Sequence, residues 1–131
     1  MEDKVVAHLR NGKIHKGITH DFDPDQPAFH LLPAEGGGIP MRLAIDEMKA
    51  LFYVKDFLGN KEFVARRRFE SVGSEQRKVI VTFSDGEVIF GTTRSAEDRP
   101  SGFFIAPSDP DDNNARIFVV RASVRTLQYP D

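Results

Sequence analysis

The chain has 131 residues, of which 40% are hydrophobic and 29% charged, with a net charge of −2; this leaves room for one ordinary domain or two very small ones. No apolar run approaches the ~20 residues that a membrane span needs. The absence of cysteine excludes disulfides, thiolate metal ligands and cysteine nucleophiles.

The charge is unevenly spread. Residues 1–54 carry six Lys/Arg and eight Asp/Glu, residues 55–77 six and four, and residues 78–131 six and eight. Two mildly acidic stretches therefore flank a basic one. A nucleic-acid binder usually presents a basic face, so the balance argues against that class. The opening Met1-Glu2-Asp3-Lys4 runs straight into a strand-like segment with no signal-peptide pattern, which predicts a cytoplasmic protein.

In chain order, Val5–Leu9 is a β-branched run ending in Asn11-Gly12, a strong hairpin signal that predicts a type I′ turn. The second strand, Lys13–Thr19, has Gly17 in its middle, the mark of a bend or bulge. An Asp/Pro segment leads to a third strand, Ala28–Leu32, stopped by Pro33; the fourth covers Met41–Ala44. A 3₁₀ turn at Asp46–Met48 precedes the fifth, Ala50–Val54. The connector, 55–77, is too apolar for a plain linker, with Phe57, Phe63, Val64 and Phe69. Its Lys61–Phe69 stretch suits an added strand or a short helix.

The pattern then repeats. Lys4–Gly12 aligns with Lys78–Gly86 at an offset of 74, which also matches Gly17 with Gly91, Phe29 with Phe103 and Pro33 with Pro107. After two inserted residues the offset is 76, matching Leu43 with Val119, Leu51 with Leu127 and Tyr53 with Tyr129. The predicted second set of strands is Val79–Phe83, Glu87–Thr93, Gly102–Ala106, Arg116–Arg121 and Arg125–Tyr129. The organisation is thus a first β unit (1–54), a basic aromatic connector (55–77) and a second β unit (78–131). The predicted inward residues are Val5, Ala7, Leu9, Phe29, Leu31, Leu43 and Leu51, with Val79, Val81, Phe83, Phe103, Ile105, Val119 and Leu127.

Five short antiparallel strands per unit resemble the SH3-like or Sm-like small barrel. The expected fold is all-β, as two tandem five-stranded barrels from an internal duplication. Each unit is marginal in size and needs the other, or an oligomer, for support. The Arg-Gly pair that Sm proteins carry before the last strand is missing, which weakens the implied RNA binding. Asp21-Phe22-Asp23-Pro24, Phe29-His30-Leu31, Lys49–Phe57, Phe83–Glu87, Gly102–Pro110 and Asn113–Val119 together resemble a family of bacterial cytoplasmic proteins defined only as a domain of unknown function.

Candidate chemistry is sparse. His20, Asp21, Asp23 and Asp25 could face a hard cation, but Pro24 interrupts them and Asp and Pro are ordinary turn formers. Ser108–Asn114 reads likewise as an Asx-rich turn. His8, His15, His20 and His30 have Thr82, Ile89, Arg94 and Phe104 as counterparts, so none is repeated. No serine lies in a nucleophile elbow, and Glu35-Gly36-Gly37-Gly38 lacks the lysine of a phosphate loop. No catalytic, metal or cofactor residue is assigned, and a non-enzymatic protein is expected.

Two binding surfaces stand out. Alternation places Phe104 and Phe118 outward on neighbouring strands, where the first unit has His30 and Arg42; Phe90, against Lys16, joins them. Exposed apolar patches mark partner sites. The leading expectation is therefore an adaptor, in a setting such as bacterial signalling, that uses Phe90, Phe104 and Phe118 to bind a partner protein or a second copy. The alternative is Sm-like RNA binding through Arg66, Arg67 and Arg68, with flanking phenylalanines for stacking.

Overall fold

The computed structural model describes residues 3–34, 38–57, 76–94, 98–109 and 111–130. Apart from its ends, the connector lies outside the described residues, as do Arg66, Arg67 and Arg68. The first half forms β1 (Asp3–Leu9), β2 (Ile14–Thr19), β3 (Ala28–Pro33), β4 (Met41–Ala44), a 3₁₀ turn at Ile45–Glu47, and β5 (Met48–Val54). The second forms β6 (Arg77–Phe83), β7 (Val88–Thr93), the two-residue β8 (Asp98–Arg99), β9 (Gly102–Pro107), β10 (Asn114–Val120), a 3₁₀ turn at Arg121–Ser123, and β11 (Val124–Gln128). Among the described residues there is no α-helix, and none long and apolar enough to cross a membrane.

The two halves pair in equivalent registers. Val5 opposes Gly17 and Val79 opposes Gly91; Gly17 opposes Pro33 and Gly91 opposes Pro107. Phe29 faces Leu43 as Phe103 faces Val119. The bulge that interrupts β5 against β1 at Lys49 recurs in β11 against β6 at Arg125. Within each half the order is fifth, first, second, third, fourth strand.

The hairpins differ from the predicted type I′. Among the described residues none other than glycine has positive φ; Gly12 lies at 92° and Gly86 at 93°. Gly12 N–H donates to Leu9 O at 3.0 Å and Leu9 N–H to Lys13 O at 2.8 Å, so one glycine in the left-handed region closes a type I turn with a bulge. The Asn11 side chain accepts from Lys13 N–H, and Asp85 accepts from Glu87 N–H, which explains the Asx residue before each glycine.

The two halves are not separate closed barrels. The pairing that would close the first, β4 to β5, is not made; β5 pairs with β10 of the other half instead. One antiparallel sheet results, in the order β11-β6-β7-β9-β10-β5-β1-β2-β3-β4, with β8 added on β9. It is strongly curled. In a flat sheet β4 and β5, four spacings apart, would be separated by roughly 19 Å, yet Leu43 and Leu51 share one core.

That first core joins Val5, Ala7, Phe29, Leu31, Leu43 and Leu51; the second joins Val79, Val81, Phe83, Phe103, Ile105 and Val119. The central strands feed both. Val5 and Ala7 point to the first core and Val6 to the second; Leu51 goes to the first and Phe52 to the second; Phe118 to the first and Ile117 to the second. A strand buried on both faces reads as an unbroken apolar run, as Ala50-Leu51-Phe52-Tyr53-Val54 does. All the predicted inward residues are buried except Leu9 and Leu127, which are partly buried against the same cores.

Candidate interaction surface

The aromatic face expected on the second half has a different role from the one its sequence suggests. Phe104 and Phe118 do oppose each other in register, with ring centroids 5.0 Å apart. However, Phe118 is 0% exposed. Because β10 pairs with β5, the outward side of the second half becomes part of the first core. Phe22, from the Asp/Pro segment, stands edge-on to Phe118 and Phe29 at 5.1 Å each. The guanidinium of Arg116 lies 4.3 Å from the Tyr53 ring centroid and 4.5 Å from that of Phe104. Burial pushes the Tyr53 hydroxyl pKa up to about 12. Phe118 is thus a core residue with no face for a partner, while Phe104 is half-buried beneath Arg116. Phe90 is half-buried on β7, opposite Ile80.

The halves are also clamped by charge. The Lys49 side chain, 12% exposed, crosses from β5 to the β6–β7 hairpin and ion-pairs with Asp85 at 2.7 Å and with Glu87. Its ammonium also lies 4.7 Å from the Phe83 ring centroid. Burial disfavours the charged amine, yet the two carboxylates outweigh it and raise the Lys49 pKa; the hydrogen bond from Lys49 holds Asp85 below the usual carboxylate range. The Ser123 hydroxyl lies 2.7 Å from Lys49 O, the Ser101 hydroxyl donates to Pro24 O at 2.7 Å, and Arg99 pairs with Asp25 at 3.4 Å.

His8 sits at this junction, its ring centroid 4.6 Å from that of Phe52. Its pKa is lowered, first by burial and then by the Lys49 charge, against the opposing pull of Glu87 and Asp85. Below the ordinary value of about 6.5, the unfolded chain therefore takes up a proton that the folded chain refuses, and stability falls with falling pH through that window. We expect the urea midpoint to drop between pH 7.5 and 5.5. His8→Thr, the residue that Thr82 supplies in the second half, should flatten the drop; an unchanged slope would place its origin elsewhere.

The Asp/Pro loop uses its carboxylates locally. Asp21 accepts His30 N–H at 2.9 Å and lies 2.8 Å from His30 Nδ1. Its slight burial raises its pKa, but the hydrogen bonds from His30 outweigh this and lower it. Asp23 accepts Asp25 N–H at 2.9 Å, and Asp109 and Asp112 cap the other Asx-rich segment in the same way. Among the described residues no three His, Asp or Glu side chains gather as a metal site would require.

What the sequence does not disclose is the pair of sheet edges. Among the described residues β4 pairs only with β3, and β11 only with β6. On β3, His30 donates its N–H to Asp21, and its carbonyl accepts from Thr19 at 2.9 Å. Neither group serves the ladder to β4, so Arg42, opposite His30 in register, turns its own N–H and C=O off the outer edge. Beside that edge lies a cleft of about 340 Å³ lined by Gln26, Pro27, Arg42, Ala44, Pro100 and Ala122, among others. The exposed Tyr129, under the guanidinium of Arg77 at 4.0 Å, follows the other edge.

Residues 1–129 match the model of a family described as a family of unknown function (DUF6982). No curated protein and no solved structure matches the chain.

Proposed function

We propose that this chain, which belongs to the DUF6982 family, is a non-enzymatic protein-interaction module that binds partners by adding a strand to its open sheet. The observation that carries this reading is the β4 edge, where the backbone donor and acceptor of Arg42 face outward. Strand addition draws affinity from such backbone groups and specificity from pockets for alternate side chains. The cleft beside Arg42 and Ala44 suits the second role. Each half is read as an opened SH3-like or Sm-like unit whose free edge has been kept for recruitment.

The test is a tagged pull-down from cytoplasmic lysate, with and without nuclease, using the full chain and Arg42→Pro. Proline removes the edge N–H without breaking a ladder bond to β3. A protein captured in both arms by the native chain and lost with Arg42→Pro supports strand addition. Companions that vanish with nuclease would transfer the function to Sm-like RNA binding through Arg66, Arg67 and Arg68, with affinity falling steeply in salt.

A further inference from the structure

The internal β5–β10 junction is a template for the two sheet edges left unpaired among the described residues. It joins the fifth strand of one half to the fourth strand of the other. The strands left over are again a fifth, β11, and a fourth, β4. A second copy placed head to tail would repeat the junction. The offset of 76 converts Val119↔Ala50 and Phe118↔Leu51 into Leu43↔Thr126 and Arg42↔Leu127. The edges are complementary in geometry, since β4 repeats the register of β10 on its third strand and β11 repeats the bulge of β5 on its first.

They are not complementary in chemistry. Arg125 occupies the bulge position of Lys49. It is exposed and donates to Ser84 O at 2.9 Å. Lys49 meets Asp85 and Glu87 across the junction; Arg125 would meet their counterparts in the next copy, Asn11 and Lys13. Both carboxylates are gone and one is replaced by a like charge. In the layer that Phe118 fills completely, the next copy would insert Arg42, and a charge without a partner is strongly disfavoured there. Charged residues on an edge are a known guard against edge-to-edge pairing.

We infer that the β11 edge is a docking site for an extended strand of a partner protein flanked by carboxylates, and that its charge bars a second copy of this chain from the same place. Lys49 with Asp85 and Glu87 defines what such a partner offers to Arg125. The inference rests on the strand-addition reading and specifies one edge of it.

The chain itself, altered at its β4 end, is the probe. Asn11, Lys13 and Arg42 are all exposed, and Asn11→Asp with Lys13→Glu reproduces the Asp85 and Glu87 hairpin. Sedimentation across a concentration series should find the native chain monomeric. Asn11→Asp/Lys13→Glu should self-associate at least about tenfold more tightly, and adding Arg42→Phe should strengthen this further. Arg125→Glu in the same background should return the chain to monomer. A doubly altered chain that folds and stays monomeric overturns the inference, as does association indifferent to Arg125→Glu. Native self-association as tight as that of the altered chain overturns it too. A failed pull-down with native partners leaves these outcomes unaffected, so the two readings can fail separately.

Discussion

Phe118→Ala is expected to destabilise the protein by about 3–5 kcal/mol, a large share of the ~5–15 kcal/mol that holds a typical domain folded. The ring is fully buried. It sits where the two halves meet, 5.0 Å from Phe104 and 5.1 Å from Phe22 between ring centroids. Truncation removes its transfer energy and leaves a cavity that three different segments would have to collapse to fill. Its backbone also belongs to the β10–β5 ladder, opposite Leu51, so the loss should loosen both cores together. Urea unfolding followed by near-ultraviolet and far-ultraviolet signals should show a lower midpoint and a single shared transition. A native-like midpoint with altered self-association would instead place Phe118 on the surface.

The second large effect is expected at Gly17. A Cβ there would lie 2.2 Å from Leu32 O and 2.5 Å from a Leu31 methyl carbon. The nearer obstacle is backbone, so no side-chain rotation relieves it. Gly17→Ala should cost about 3 kcal/mol or more by forcing β3 away from β2, where Gly17 opposes Pro33 and Ile18 opposes Leu32 in the ladder. Gly91 is its counterpart, but the nearest atom there, Ala106 O, is 2.6 Å from the added carbon and the Ile105 methyl is 3.4 Å away. Gly91→Ala should therefore be the milder of the two. Equal losses, or a harmless Gly17→Ala, would contradict the close approach of β2 and β3. The sequence marks both glycines as sites of a bend; only the packing supplies the obstacle and its rank order.

How much of the fold was legible follows from the range of each interaction. The strands were legible because β-branched runs and Asx-Gly turns act within a few residues. The repeated register was legible because the offsets of 74 and 76 persist along the chain. Alternation correctly placed Phe104 beside Phe118, since register within a hairpin is local. It could not tell that the face they share would be roofed by Phe22 and Tyr53, because that depends on a pairing between halves.

The candidate site was less legible still. Arg42 is an unremarkable exposed residue in the sequence. Its free backbone groups emerge only because Asp21 and Thr19 occupy those of His30. Arg125 likewise gains meaning only by sharing the bulge position of Lys49.

By itself, then, the sequence determined an all-β chain of two equivalent halves with their inward residues, because hydrophobic alternation and turn chemistry are local properties. Tertiary structure alone decided that the halves share one sheet rather than closing separately. The choice of β10 over β4 as the partner of β5 rests on burying both faces of Ala50–Val54 and on pairing Lys49 with Asp85 and Glu87. These contacts span more than thirty residues of chain, a separation at which no local pattern carries information.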